Sequence, residues 1–258
     1  MDIIKKTALF YSRFDGEKGV AGKSAQGRPV YYFKVVKSAF PTIICQYGIH
    51  AREYITSYLA LEQIKDFVKR GVCGTVYFLP MTNPDGVNIA LKRDPLYKAN
   101  ANGVDLNVNF DAEWGTGVSN VRTSGAENYI GTAPFSEKET RVLRDFTLAV
   151  KPDLTVSYHS KGEEIYYSFG GNRAANERSR VFALAVAEVT GYAVKDLKGS
   201  AGGYKDWCIA KCNIPALTIE VGDDRLSHPI REEHVYEIFN KNAEVINILT
   251  GAKGDLWK

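Results

Sequence analysis

Residues 41–70 read PTIICQYGIHAREYITSYLALEQIKDFVKR, and their hydrophobic period changes in the middle. The opening part, PTIICQYGI, is apolar throughout, as a strand covered on both faces has to be. The closing part, residues 53–70, carries Ile55, Tyr58, Leu59, Leu61, Ile64, Phe67 and Val68 at helical spacing and runs into Gly71, a helix stop. A buried strand feeding an amphipathic helix is a building unit of α/β domains with helix-covered sheets. Between the two lies GIHAREY, residues 48–54, with His50 and Glu53 three apart. On a helical turn that step puts two side chains on one face, and imidazole nitrogen with carboxylate oxygen is a favoured ligand pair for zinc. Alone, the pair also suits a plain helix start with an acid facing the helix dipole.

The same alternation continues outward. RPVYYFKVV (28–36) is β-branched and aromatic, hence a strand. TVYFLPMTNPDG (75–86) reads as a strand entering a turn at Pro84-Asp85-Gly86. DLTVSYH (153–159), EEIYYSF (163–169) and ALTIEV (216–221) are further strands. Helices are expected over NERSRVFALAVAEVTG (176–191), over IREEHVYEIFNKNAEVINILT (230–250), and over SEKETRVLRDFTLAV (136–150), where Ser136 and Glu139 have the spacing of a capping box. The first 30 residues before RPVYYFKVV read as irregular. Residues 92–135 are rich in Gly, Asn, Asp and Ser without periodicity, a long loop region that is tolerated where it lines something useful. With no repeat and no linker, the expectation is one α/β domain over residues 1–258, its mixed, mostly parallel central sheet flanked by helices on both faces.

Bulk properties exclude several functions. With 45% hydrophobic and 24% charged residues, the 258-residue chain has the composition of a folded globular domain. Its 33 basic and 30 acidic residues leave a net charge of +3, and the densest basic stretch, LKRDPLYK (91–98), is broken by Asp94 and Pro95. A nucleic-acid partner recognised through a basic face is therefore not expected. No run approaches the ~18 apolar residues of a bilayer span, so membrane insertion is not expected either. Cys45, Cys73, Cys208 and Cys212 form no CxxC pair and read as free thiols, which suits a reducing compartment. The N-terminus has no long apolar stretch, and the expected location is the cytoplasm.

The polar residues at strand ends then draw together. His50 and Glu53 follow one strand, His159 closes another, and Glu220 lies near the end of a third. In open α/β sheets, functional groups gather beyond the carboxyl ends of the strands. Two histidines and a glutamate would make a three-ligand zinc site with an open fourth position, the catalytic arrangement, and a neighbouring carboxylate could serve as general base.

Five blocks carry a family resemblance: GIHAREY, NPDG (83–86), GVDLNVNF (103–110), SYHS (157–160) and TIEVG (218–222). In order and spacing they resemble the carboxypeptidase A type zinc metallopeptidases, with SEKET (136–140) and GKSAQGRPV (22–30) fitting too. The likeness runs from about residue 20 to 245. It implies one Zn2+ per chain held by His50, Glu53 and His159, with Glu220 as general base. It makes Asp105 the carboxylate that fixes the tautomer of a zinc histidine, and Arg52 and Asn107 contacts to substrate backbone and terminal carboxylate. An inactive binding module would be expected to lack one of the first four, and all are present.

Departures from the family pattern bear on substrate. Members that release C-terminal residues carry Asn-Arg where this chain has Asn107-Val108, and valine cannot grip a carboxylate as a guanidinium fork does. Arg122 and Lys205 are the candidate replacement cations. The family's carbonyl-polarising arginine corresponds to Lys98, or else to Arg93. Lys198 stands where animal members have a mobile tyrosine, and Tyr204 is out of register for that role. Lys205 occupies the position that sets side-chain preference, where an ammonium favours a carboxylate-bearing group. The block SAGGYKDW (200–207) resembles the bacterial branch that cleaves the γ-D-glutamyl to meso-diaminopimelate bond of peptidoglycan peptides. The expected substrate is therefore a muropeptide. Alternatives on the same zinc centre are a carboxypeptidase acting on ordinary or acidic C-terminal residues and an amidase or deacylase.

Overall fold

A computed structural model of the chain describes residues 1–196, 198–251 and 256–257. Eight strands form one sheet: β1 (Glu17–Lys23), β2 (Pro29–Val36), β3 (Thr42–Gln46), β4 (Thr75–Leu79), β5 (Leu154–His159), β6 (Glu164–Tyr166), β7 (Ala193–Lys195) and β8 (Ala216–Glu220). Their order is β1-β2-β4-β3-β5-β8-β6-β7. The middle four, β4, β3, β5 and β8, are mutually parallel, while β1, β2 and β6 join antiparallel. The sheet is thus mixed, with the expected parallel centre.

Helices cover both faces. They are α1 (Ile3–Arg13), α2 (Ile55–Arg70), α3 (Pro84–Lys92), α4 (Lys138–Val150), α5 (Arg173–Thr190), α6 (Tyr204–Cys212), α7 (Val235–Asn242) and α8 (Val245–Leu249). Strand alternation sorts β3 between two cores. Ile43 and Cys45 pack with Leu59, Phe182 and Leu249 on one side, whereas Ile44 packs with Leu143, Phe110 and Cys208 on the other. A strand buried on both faces carries no alternation of polarity, which is why Ile43, Ile44 and Cys45 in succession are all apolar. The four cysteines are free thiols, and burial pushes the Cys45 and Cys208 thiols up.

Four expectations are corrected. The first 30 residues are not irregular: Asp2 caps α1 by accepting from the Lys5 N–H, and β1 pairs with β2. Phe10 of α1 and Phe14 just past its end each lie edge-on to Phe33 with ring centroids 5.2 Å apart, so tertiary packing holds a short helix. NPDG does not end in a turn. Asn83 accepts from the Gly86 N–H and Pro84 occupies the first position of α3, where its missing N–H costs nothing. The Ser136–Glu139 capping box does not form, because Glu139 instead accepts from the Ala25 N–H at 2.9 Å and from Asn100 at 3.2 Å. The last helical stretch is broken into a short 3-10 turn, α7 and α8.

Parallel β3, β5 and β8 all deliver their carboxyl ends to one edge. His159 and Glu220 are the last residues of adjacent strands and face each other in register. His50 lies just beyond β3, past a turn that only glycine fits: Gly48 has φ +59°, and a Cβ there would meet Ser57 Oγ at 2.7 Å.

Candidate active site

His50 caps a 3-10 turn, Ala51–Glu53, that precedes α2, so Glu53 folds back over it. Across the edge comes His159. The two Nδ1 atoms face each other at 3.1 Å, and the Glu53 carboxylate touches both, Oε1 at 2.8 Å from His50 Nδ1 and Oε2 at 3.1 Å from His159 Nδ1. All three side chains are buried, and they are the cluster of metal-ligand type found among the described residues.

The outer nitrogens explain why the Nδ1 atoms point inward. His50 Nε2 donates to Asp105 Oδ1 at 3.1 Å. An ionised carboxylate can only accept, so the ring proton belongs on Nε2 and the Nδ1 lone pair is left free. His159 Nε2 lies 3.0 Å from Ser157 Oγ, a hydroxyl that also accepts from Gln46 Nε2. With both imidazoles neutral, four electron-pair donors therefore converge on one point, an arrangement that is repulsive unless a proton or a metal cation sits among them. The donor set, two imidazoles and one carboxylate, fits zinc with a coordination place to spare.

Charges follow from this packing in the metal-free protein. Burial works against protonation of His50, but the Glu53 and Asp105 carboxylates outweigh it and raise its pKa to about 9. Burial opposes ionisation of Glu53 as well, yet His50 and the bond from His159 hold its carboxyl well below the usual range. Burial, with a smaller push from His50 and Lys98, keeps His159 below the ordinary imidazole value. Beside them Glu220 is raised well above a normal glutamate by burial and by the Glu53 carboxylate, and its Oε2 is buried without a partner. An orphaned carboxylate oxygen beside these three ligand side chains is where a proton acceptor for an attacking water would be needed once they held a metal.

A matching family description covers residues 16–245 and is that of the zinc carboxypeptidases. This chain belongs to the zinc carboxypeptidase family. It is a zinc metallopeptidase unit, and the buried His-Glu-His cluster is consistent with the family's metal. It is 28% identical over 268 residues to a γ-D-glutamyl-L-diamino acid endopeptidase 1 of Lysinibacillus sphaericus, covering 90% of this chain and 66% of that protein, so it spans about two thirds of that relative's length. Among solved structures it superposes on carboxypeptidase A of Helicoverpa armigera with a TM-score of 0.80 at 22% identity, over 95% of this chain and 70% of the other. A murein-tripeptide amidase, MpaA, of Escherichia coli O157 gives 0.65 at 22% identity, over 92% of both. These two likenesses bear on the fold.

The peptidase has a cleft of about 440 Å³ next to the cluster, lined by His50, Lys98, Asp105, Asn107, Val108 and a loop around Lys198. Asn107 accepts from the Tyr204 N–H at 3.1 Å, which ties the cleft floor to the start of α6. Of the two candidates for the carbonyl-polarising cation, Lys98 is at the cleft and Arg93 is on the exposed surface. Lys98 does not stand free. Its Nζ is 2.7 Å from Asp105 Oδ2 and donates to Asn128 Oδ1 at 2.7 Å, and that pairing outweighs burial to raise its pKa. Arg52 is held at the rim by Glu127 at 2.8 Å and keeps a buried, unpartnered Nε–H.

Two assignments fail. Arg122 lies exposed with its guanidinium over the Trp114 ring, 4.9 Å from the centroid, and is absent from the cleft lining. Lys205 is buried and its ammonium donates to Asp206 Oδ1 and to the Ser168 carbonyl, both at 2.6 Å. The Asp206 carboxylate and the Ser168 carbonyl hold Lys205, whereas the Trp114 ring holds Arg122. The structure adds other residues to the site. Ser157 sits two before His159 on β5, the period-2 position that shares its face, and Gln46 was the lone polar side chain in an apolar run. His228, partly buried with an unpartnered Nδ1, is close enough for Glu53 and His50 to act on its titration, which burial lowers.

Proposed function

We propose that this unit hydrolyses the amide bond between a γ-linked D-glutamyl group and a diamino acid in peptidoglycan-derived peptides, working in the cytoplasm. The observation that carries the hydrolytic part is the convergence of His50 Nδ1, His159 Nδ1 and Glu53 on one point, with the unpartnered Glu220 carboxylate beside it. His50, Glu53 and His159 would hold the zinc. When bound, zinc supplies Lewis acidity to the attacking water and to the scissile carbonyl.

The chain's own residues do the rest. Glu220 Oε2 takes a proton from the attacking water and passes it to the nitrogen of the departing amine. Asp105 keeps the His50 ring in the tautomer that presents Nδ1 inward, and Ser157 Oγ anchors the His159 ring through its Nε2. Asp105 also holds Lys98 on the cleft wall, from which its ammonium can face the developing oxyanion. Arg52, anchored by Glu127, is the contact to substrate backbone that the family pattern implies.

Two features support the substrate. Val108 removes the guanidinium that a C-terminal carboxylate would need, and the relative from Lysinibacillus sphaericus is named for a diamino acid bond. The buried free thiols of Cys45 and Cys208 suit a reducing compartment. Zinc-loaded protein should cleave L-Ala-γ-D-Glu-meso-diaminopimelate in preference to N-blocked dipeptides. Glu220→Gln should lower turnover about 10²- to 10⁴-fold with zinc still bound. Strong turnover of the blocked dipeptides alone would refute the substrate, and unchanged turnover by Glu220→Gln would refute the mechanism.

A further inference from the structure

The cleft beside His50 does not end at its own wall. A second hollow of about 380 Å³ adjoins it, and the two share Lys198, Gly199, Ser200 and Ala201. The shared segment is firmly tied to the cleft floor. Val118 N–H donates to Gly199 O at 2.9 Å, Phe110 N–H to Gly202 O at 2.9 Å, and Gly202 N–H to Ala112 O at 2.8 Å. Gly202 makes this contact possible: at φ +84°, a Cβ on it would stand 2.7 Å from Val108 O. A loop bearing Lys198 is thus drawn against Val108, the position without a cation.

The charges around the two hollows are unequal in availability. Lys98 is engaged by Asp105 and Asn128, Arg52 by Glu127, Lys205 by Asp206, and Arg122 by Trp114. Lys198 is exposed, lines both hollows, and has no salt bridge or hydrogen bond among the described residues. The second hollow is otherwise polar and acidic. Glu113 and Asp196 line it, Asp196 accepting from the Ser168 hydroxyl. A group reaching from the cleft into this hollow meets one ammonium at the boundary and two carboxylates beyond it.

We propose that Lys198 is a specificity residue that binds the carboxylate on the remote carbon of a diamino diacid in the leaving position, while the neighbouring ammonium of that substrate turns toward Glu113 and Asp196. The inference rests on the γ-glutamyl-diamino acid reading above and names the part of the cleft that recognises the far end. Charge complementarity selects a zwitterionic end over a lone ammonium, because the lone ammonium has no use for Lys198.

Zinc-loaded protein carrying Glu220→Gln separates binding from turnover. Its affinity is measured calorimetrically for γ-D-glutamyl-meso-diaminopimelate and for γ-D-glutamyl-L-lysine, which lacks only the remote carboxylate. The diaminopimelyl peptide should bind more tightly. Adding Lys198→Ala should cut that preference about fivefold by weakening the diaminopimelyl peptide alone, as loss of one charge-assisted contact does. Lys198→Arg should keep the preference and Lys198→Glu should invert it. Equal weakening of both peptides by Lys198→Ala, an unchanged ratio, or no binding of either peptide overturns the proposal. Turnover of the diaminopimelyl peptide by the unsubstituted enzyme is followed separately. Failure there with a Lys198-dependent binding ratio sinks the assigned bond and keeps Lys198, whereas cleavage with an unchanged ratio does the reverse.

Discussion

Replacing Asp105 by asparagine should uncouple two things the carboxylate does at once. Asp105 is buried and accepts from His50 Nε2 at 3.1 Å and from the Asn107 N–H at 2.9 Å, and its Oδ2 lies 2.7 Å from the Lys98 ammonium. Two unit charges at that distance attract by about 6 kcal/mol at an effective dielectric of ~20, and desolvation of the pair takes back part of this. The side chain of Lys98 is 18% exposed and keeps Asn128 as a partner, so stranding its charge should cost about 3 kcal/mol, the low end for a broken buried pair. The asparagine shape retains an acceptor for Asn107 N–H but no longer forces the His50 proton onto Nε2, and zinc affinity should fall about 10- to 100-fold. The double variant Asp105→Asn/Lys98→Met removes the stranded charge. It should regain about 2 kcal/mol of metal-free stability while zinc affinity stays low. Urea unfolding of metal-free protein reads the first quantity and chelator competition the second. If Lys98→Met gives no rescue, or restores zinc binding together with stability, the assignment of the two roles to one carboxylate is wrong.

Zinc uptake should release a proton. With the His50 pKa at about 9 in the metal-free protein, the ligand is protonated at neutral pH, and apparent zinc affinity should climb up to about tenfold per pH unit between pH 6 and 8; a pH-independent affinity in competition titrations would refute it. The same shift stabilises the metal-free fold. His50 binds its proton more tightly folded than unfolded, so its contribution is complete below about 6.5 and is lost as pH rises through about 9, visible as a falling denaturation midpoint in metal-free protein only. Lys205→Met should lower stability by about 3 kcal/mol by stranding the Asp206 carboxylate. It should leave the preference between diaminopimelyl and lysyl peptides untouched, since the Lys205 ammonium faces Asp206 and Ser168; a changed preference would return Lys205 to the substrate cleft.

Much of the metal cluster was legible because strand physics wrote it into short segments. A strand buried on both faces carries few ionisable groups, so an imidazole or carboxylate at its end stands out, as His159 does after LTVSY and Glu220 after ALTI. His50 and Glu53 share a single turn, and their spacing alone brings them together. What the sequence concealed was every feature fixed by a distant partner. Nothing near Glu139 hints that Ala25, 114 residues earlier, takes the carboxylate that a capping box would have used. Nothing within residues 3–14 reveals that Phe10 and Phe14 are held by Phe33 across the chain. NPDG was ambiguous locally, since asparagine, proline and aspartate open helices as readily as they close turns.

The cations show most sharply why motif position is a poor guide to a long side chain. Lys205 and Lys198 lie seven positions apart on either side of the same Gly-Gly, yet one is enclosed and one is exposed. The difference comes from what lies within reach of each four-carbon stem. Lys205 starts in the first turn of α6 beside Asp206, whose other oxygen is already fixed by the Gly203 N–H at 3.0 Å, so a rigid anion waits at the correct distance. Lys198 starts on a loop whose Gly199 and Gly202 backbone groups are taken by Val118, Phe110 and Ala112, and its ammonium makes no ion pair among the described residues. An ammonium with a rigid internal partner serves the fold, and one without a partner at the mouth of two hollows is left for whatever enters. By that criterion Lys198 is the cation left for a substrate carboxylate, and the acidic hollow behind it limits what that carboxylate can be attached to.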